Sequence, residues 1–163
     1  RKARPDSAGV ALILAQLHEQ TGGYVQAKDI YEELLENHPK LWTAANNLAF
    51  YYAQHQPTEE NLEKAGALIA PWLTERKDDP NLIDTAAWIA YQKGDFKKAE
   101  QLLLSVKPQA DDMPVFHYHL GMTYLRLNKK EKAREHLRFA VDGNRSFPGE
   151  AEAKETLQGM ADA

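Results

Sequence analysis

Apolar residues recur along this chain with the spacing of helix faces, and the same face is written four times. An alanine anchors each copy: Ala27, Ala65, Ala99 and Ala133, the last three 34 residues apart and the first 38 before the second. Four positions beyond each alanine stand Tyr31, Ile69, Leu103 and Leu137, and seven beyond stand Leu34, Trp72, Val106 and Ala140. Upstream, Leu14, Leu48, Ala86 and Leu120 are each followed by a small residue, Ala15, Ala49, Ala87 or Gly121. Three positions after these come His18, Tyr52, Ala90 and Tyr124. Steps of three and four keep such residues on one helix stripe, so each copy predicts two amphipathic helices. The small residues fall where the two helices cross and let their backbones approach. Self-similarity at a fixed period of this size predicts helical hairpins stacked in a row.

The punctuation agrees with the pattern. Gly22, Gly94 and Asn128 sit between the two helices of the first, third and fourth copies, where a residue tolerant of positive φ closes a helix. Pro80, Pro114 and Pro148, again 34 apart, stand at helix starts, where a missing N–H leaves no bond unmade. The predicted helices are 8–21, 24–37, 41–55, 59–76, 80–93, 96–107, 113–127, 130–142 and 149–160. Four extra residues in the second copy fall in Gln54–Thr58 and lengthen its turn. Pro71 lies inside the predicted 59–76 helix and is expected to kink it, since it removes the bond to Ala67.

This order of leucine, small residue, tyrosine, then alanine, aromatic and proline resembles the tetratricopeptide-repeat family. The fourth copy, from His117-Tyr118-His119-Leu120-Gly121 to Ala140, matches most fully. Lys130 in place of an aromatic, Ala90 in place of tyrosine, and no tryptophan at the usual first-helix place are departures. The resemblance implies an all-α, right-handed α-solenoid of helix-turn-helix hairpins, about four repeats plus a C-terminal capping helix. It divides the chain into a polar tail at 1–7, an array at 8–147 with repeats 8–41, 42–79, 80–113 and 114–147, and a cap at 148–163. It implies a protein–protein interaction scaffold rather than an enzyme, with no cofactor.

Composition narrows the chemistry. A hydrophobic content of 43% suffices for a continuous core. No apolar run approaches a membrane span. With 20 basic and 24 acidic side chains the net charge is 20 − 24 = −4, which disfavours a nucleic-acid backbone as partner. The absence of cysteine removes disulfides and thiolate chemistry and leaves the compartment open. The first residue is not Met and residues 1–6 are polar, so the sequence reads as a segment of a longer protein. The six histidines contain no His-x-x-x-His pair, and His117 and His119, two apart, point to different sides of a helix. His18 and His117 occupy packing positions and read as structural. Asp78-Asp79 and Asp111-Asp112 stand just before helix starts, where carboxylates favour the dipole. No phosphate loop or nucleophile constellation is present, so neither a catalytic residue nor a metal ligand is assigned.

Binding residues are assigned instead. The first helix of each hairpin has a second stripe beside its packing stripe, facing the inner, concave side of the stack. That stripe comprises Gln16 in repeat 1, Asn46, Asn47 and Phe50 in repeat 2, Asp84, Trp88 and Tyr91 in repeat 3, and Tyr118 and Met122 in repeat 4. Spacings of three and four keep each set on one face. An aromatic and Met-containing row suits a peptide or partner helix, with amides for its backbone. The plain alternative is a structural spacer whose row is buried by its own neighbours, and the exposure of Trp88 and Tyr118 separates the two. Some members of the family clamp a carboxylate tail of chaperones; only Asn47 fits that set here. The repeats also resemble those of bacterial multi-repeat proteins, some of which scaffold exopolysaccharide secretion or cell-envelope assembly. An RNA-reading helical repeat is disfavoured by the charge. Val10, Ile13, Leu14 and Leu17 have no repeat before them, and such an apolar end is expected to promote self-association.

Overall fold

The repeating stripes do become paired helices. The computed structural model describes residues 5–143 and 145–161. Residues 1–4 of the expected tail and 162–163 of the expected cap lie outside the described residues. The elements are α1 (Pro5–Gln20), α2 (Tyr24–Asn37), α3 (Trp42–His55), α4 (Glu59–Ile69), α5 (Pro80–Gln92), α6 (Phe96–Ala110), α7 (Pro114–Arg126), α8 (Lys130–Asp142) and α9 (Glu150–Ala161). Every element described is helical, and consecutive helices pair as α1/α2, α3/α4, α5/α6 and α7/α8, giving the all-α repeat architecture.

Local chemistry sets the ends. Gly22, Gly94 and Asn128 take φ of 80°, 82° and 59°, the left-handed conformation that glycine and asparagine tolerate best, and so close the first helices of their hairpins. Thr58, Asp79 and Asp95 cap α4, α5 and α6 through side-chain oxygens that accept backbone N–H groups. The two internal prolines behave differently. Pro71 ends α4 rather than kinking it: the helix stops at Ile69, and a short 3-10 turn at Ala70–Trp72 follows. Pro108 lies within α6, which runs on to Ala110, three residues past the expected end. Ala110 is fully buried, and its contacts hold that last turn against the core.

The chain divides into two compact units, one ending at Trp72 and one starting at Leu73. In the first, Ala15, Ala27, Tyr31, Leu34, Ala44 and Leu48 form the core, with Leu12, Leu35, Tyr52 and Leu68 packed around it. In the second, Ile83, Ala87, Leu103, Val106, Phe116, Leu120, Tyr124 and Ala133 do so, with Leu73, Met113 and Met160 against them. All four anchor alanines are buried. The close crossing predicted at Gly121 is real: a Cβ there would stand 2.7 Å from Leu137 Cγ and 3.2 Å from the Leu137 backbone nitrogen. Gly121→Ala is therefore expected to destabilise the second unit by about 1–3 kcal/mol, although alanine favours a helix by about 1 kcal/mol. Chemical denaturation decides this, and a gain in stability would show that the crossing has room.

Candidate functional site

The predicted row falls into two sets, one in each unit. In the first unit, Gln16 is exposed on α1, while Asn47 and Phe50 are half-buried on α3. Asn46 is 6% exposed. Asn47 Nδ2 donates to the Tyr31 hydroxyl at 3.1 Å, so one of the two amides is committed to holding α3 against α2. Burial raises the Tyr31 hydroxyl above its ordinary value, and the neighbouring Glu19 adds to the shift. Glu19 is itself raised, again by burial. The side-chain oxygen of Asn46 is buried without a hydrogen-bond partner; its Nδ2 lies 3.5 Å from Asn47 Oδ1. An unpaired buried acceptor carries a desolvation penalty of about 1–3 kcal/mol, which an incoming N–H would relieve.

In the second unit the row is closed. Trp88 is 2% exposed and Tyr118 is fully buried, so the expectation that they line an open surface is corrected here. The indole stacks on Tyr91 at 4.4 Å and on His119 at 4.1 Å, and it meets Tyr118 at 5.4 Å. Tyr118 in turn meets Phe147 and donates to Glu152 at 2.6 Å. Asp84 is buried and pairs with His119 Nδ1 at 2.9 Å. Met122 is buried, and Thr156 Oγ1 donates to its sulfur at 3.9 Å. Tyr91 remains half-buried; burial raises its hydroxyl and the adjacent Arg126 guanidinium draws it back. Arg126 also lies over the Phe96 ring at 4.4 Å.

These contacts follow a rule that the repeat period contained. Tyr118 and Glu152, and Met122 and Thr156, are 34 residues apart, and Asp84 and His119 are 35 apart. In the second unit, equivalent positions of α5, α7 and α9 lie side by side, so α9 continues the row set by α7. Large side chains at neighbouring positions therefore cover one another. His119, Glu152, Phe96 and Arg126 are not among the site residues expected from the sequence; the 34-residue period places Glu152 beside Tyr118, whereas His119 lies one position past the equivalent of Asp84.

Two clefts open elsewhere in the first unit. One of about 530 Å³ is lined by Ala8, His38, Pro39, Lys40 and Leu41, and one of about 360 Å³ by Leu48, Tyr52, Lys64, Ala67 and Leu68. Neither contains a predicted site residue. The outer stripe of α1 is open, with Val10 and Ile13 each about two-thirds exposed (66% and 67%). Among the described residues no helix is long and apolar enough to cross a membrane, and no group of three or more histidine or acidic side chains could hold a metal ion.

Tetratricopeptide-repeat family profiles match residues 10–40 and residues 115–142. No curated protein matches the chain by sequence. Among solved structures, the chain is similar to TTC0263, a thermophilic TPR protein of Thermus thermophilus, at 16% identity and a TM-score of 0.73, covering 94% of this chain and 81% of that one. It is similar to a double mutant of MamA from RS-1 at 19% identity and a TM-score of 0.60, covering 97% and 85%. It is also similar to YrrB, described as a TPR protein with an unusual peptide-binding site, at 18% identity and a TM-score of 0.58, covering 93% and 75%. Identities this low speak for the fold alone. The two matched segments, each with its in-register anchor alanine, Ala27 and Ala133, show that this chain carries tetratricopeptide repeats.

Proposed function

We propose that the chain is a protein–protein interaction scaffold that holds a peptide or partner helix along the inner faces of its first helices, chiefly through Gln16, Asn46, Asn47 and Phe50. The observation that carries this reading is the buried Asn46 oxygen with no hydrogen-bond partner, in the same unit as the exposed side chain of Gln16. Once the Asn46 side chain turns outward, a peptide backbone can supply the N–H that this oxygen lacks, and the half-buried Phe50 one turn along α3 offers apolar area. The peptide-binding site named for YrrB supports the same reading by analogy of fold. No reaction is assigned to the chain.

A displayed random-peptide library selected on the intact chain tests it. Selected peptides are expected to lose roughly tenfold or more in affinity on Asn46→Ala, one hydrogen bond's worth or more. The melting temperature should hold or rise, because the substitution removes an unsatisfied buried oxygen. Failure to enrich any peptide, or equal binding by Asn46→Ala and wild type, would sink the groove reading. It would leave the structural spacer, which the burial of Trp88 and Tyr118 favours for the second unit. The open α1 stripe supports self-association through a second copy. Sedimentation at rising concentration should show dimers that Ile13→Glu abolishes, and a monomer throughout would refute that part.

A further inference from the structure

His117 on α7 and His136 on α8 are both buried, and their Nδ1 atoms lie 2.8 Å apart. The Nε2 of His117 is 3.1 Å from the backbone carbonyl of Asp111 at the C-terminus of α6. A carbonyl can only accept, so Nε2 of His117 carries its hydrogen, and the neutral ring leaves Nδ1 as a lone pair. The hydrogen between the two rings therefore belongs to His136. This makes a one-way relay: His136 Nδ1–H donates to His117 Nδ1, and His117 Nε2–H donates to Asp111 O. Three helices are tied by two rings. Phe139 stacks on His117 at 3.9 Å, and Tyr124 lies against His136 at 5.5 Å.

We propose that this pair of imidazoles is a proton-operated clasp of the last hairpin, which holds α8 on α7 and on the end of α6 when both rings are neutral and opens in mild acid. A first proton can go to His136 Nε2 with the bond between the rings intact, but it places a charge in a buried site. A second must go to His117 Nδ1, where it sets two N–H groups against each other. The two sites therefore titrate as a coupled pair. The charged groups facing the pair are Lys107 and Asp111 of α6 and Glu135 of α8, with Lys129 and Lys132 over the Tyr124 ring. The carboxylates favour protonation and Lys107 opposes it. Burial is the largest influence on both rings and lowers both, taking His136 to about 4. Because the folded rings titrate below the ordinary 6.5, their contribution is complete above that pH. It is lost as the pH falls toward 4. Arg134 of α8 also donates to the Met160 carbonyl of α9, so opening removes one of the bonds that hold that helix.

The test uses the whole chain and reads imidazole nitrogen resonances and denaturation from pH 7.5 to 4. At neutral pH His117 should be the Nε2–H tautomer and His136 the Nδ1–H tautomer, with both rings taking up protons only below the ordinary 6.5. The folding equilibrium constant of the second unit should fall by roughly a hundredfold between pH 6.5 and 4 on account of the pair. His136→Phe, which keeps an aromatic ring and removes the titration, should flatten that fall. His55→Gln, changing a histidine of the first unit, should leave it unchanged. The opposite tautomers, rings that titrate near 6.5, or an undiminished fall in His136→Phe would each overturn the proposal. The tautomer and titration readings need only the wild-type chain, so they decide the matter even if the variant does not fold.

Discussion

Trp88→Ala is expected to destabilise the second unit by about 3–5 kcal/mol, the range for truncating a buried aromatic to alanine. The ring is 2% exposed and meets Tyr91, Tyr118 and His119, so its removal opens a cavity that three rigid rings cannot readily fill. Its Nε1–H is buried without an acceptor. Trp88→Phe should therefore be much milder, about 2 kcal/mol or less, because it discards that unpaired donor along with part of the volume. Denaturation followed by far-ultraviolet circular dichroism separates the cases. A cost below about 1 kcal/mol for the alanine variant would take the indole out of the core and restore an open aromatic row. The consequence for binding experiments is direct. Loss of partner capture in Trp88→Ala would reflect unfolding, so the groove must be tested at Gln16 and Asn46.

The contrast between Ala99 and Trp88 shows what the sequence made legible. Contacts within a hairpin are set by steps of three and four along each helix, so Ala99, Leu103 and Val106 could be placed in the core from spacing alone; all three are buried. The turns were equally readable, since Gly22, Gly94 and Asn128 answer a backbone requirement that few residues meet. Contacts between successive first helices depend on how far each side chain reaches across the stack. A stripe beside the packing stripe looks open at Trp88 until the reach of Tyr118 and His119 is counted. Pro71 and Pro108 show the same limit. Both interrupt a helical pattern, yet one helix stops and the other continues. After Pro108 the chain returns a buried residue at Ala110, whereas no residue of the turn at Ala70–Trp72 is buried. The clasp between His117 and His136 was half visible. Its first member was read as a packed histidine, but nothing in the periodicity of α8 marks His136 as its partner.

Asp84→Ala is expected to cost about 3–5 kcal/mol, because it breaks a buried pair and leaves an imidazole N–H in the core without its carboxylate. Both carboxylate oxygens lie 2.9 Å from His119 Nδ1, and both side chains are buried. The pair joins α5 to α7, and the His119 ring also forms one face of the Trp88 stack, so the carboxylate fixes the ring on which the indole rests. Asp84→Asn keeps an acceptor oxygen of similar shape and should lose less than alanine does. His119→Phe should be nearly as damaging as Asp84→Ala, since it strands the carboxylate. The combined Asp84→Leu/His119→Phe chain should recover much of the loss, as apolar replacement of a whole buried pair often does. A cycle through these variants should return a coupling of about 1–3 kcal/mol. Additive losses within about 0.5 kcal/mol would mean that the two groups act independently. A harmless Asp84→Ala would return the residue to the partner-binding role that its place on the inner stripe first suggested. A large loss makes Asp84 a structural member of that stripe, and leaves partner contact to the less buried side chains of the first unit.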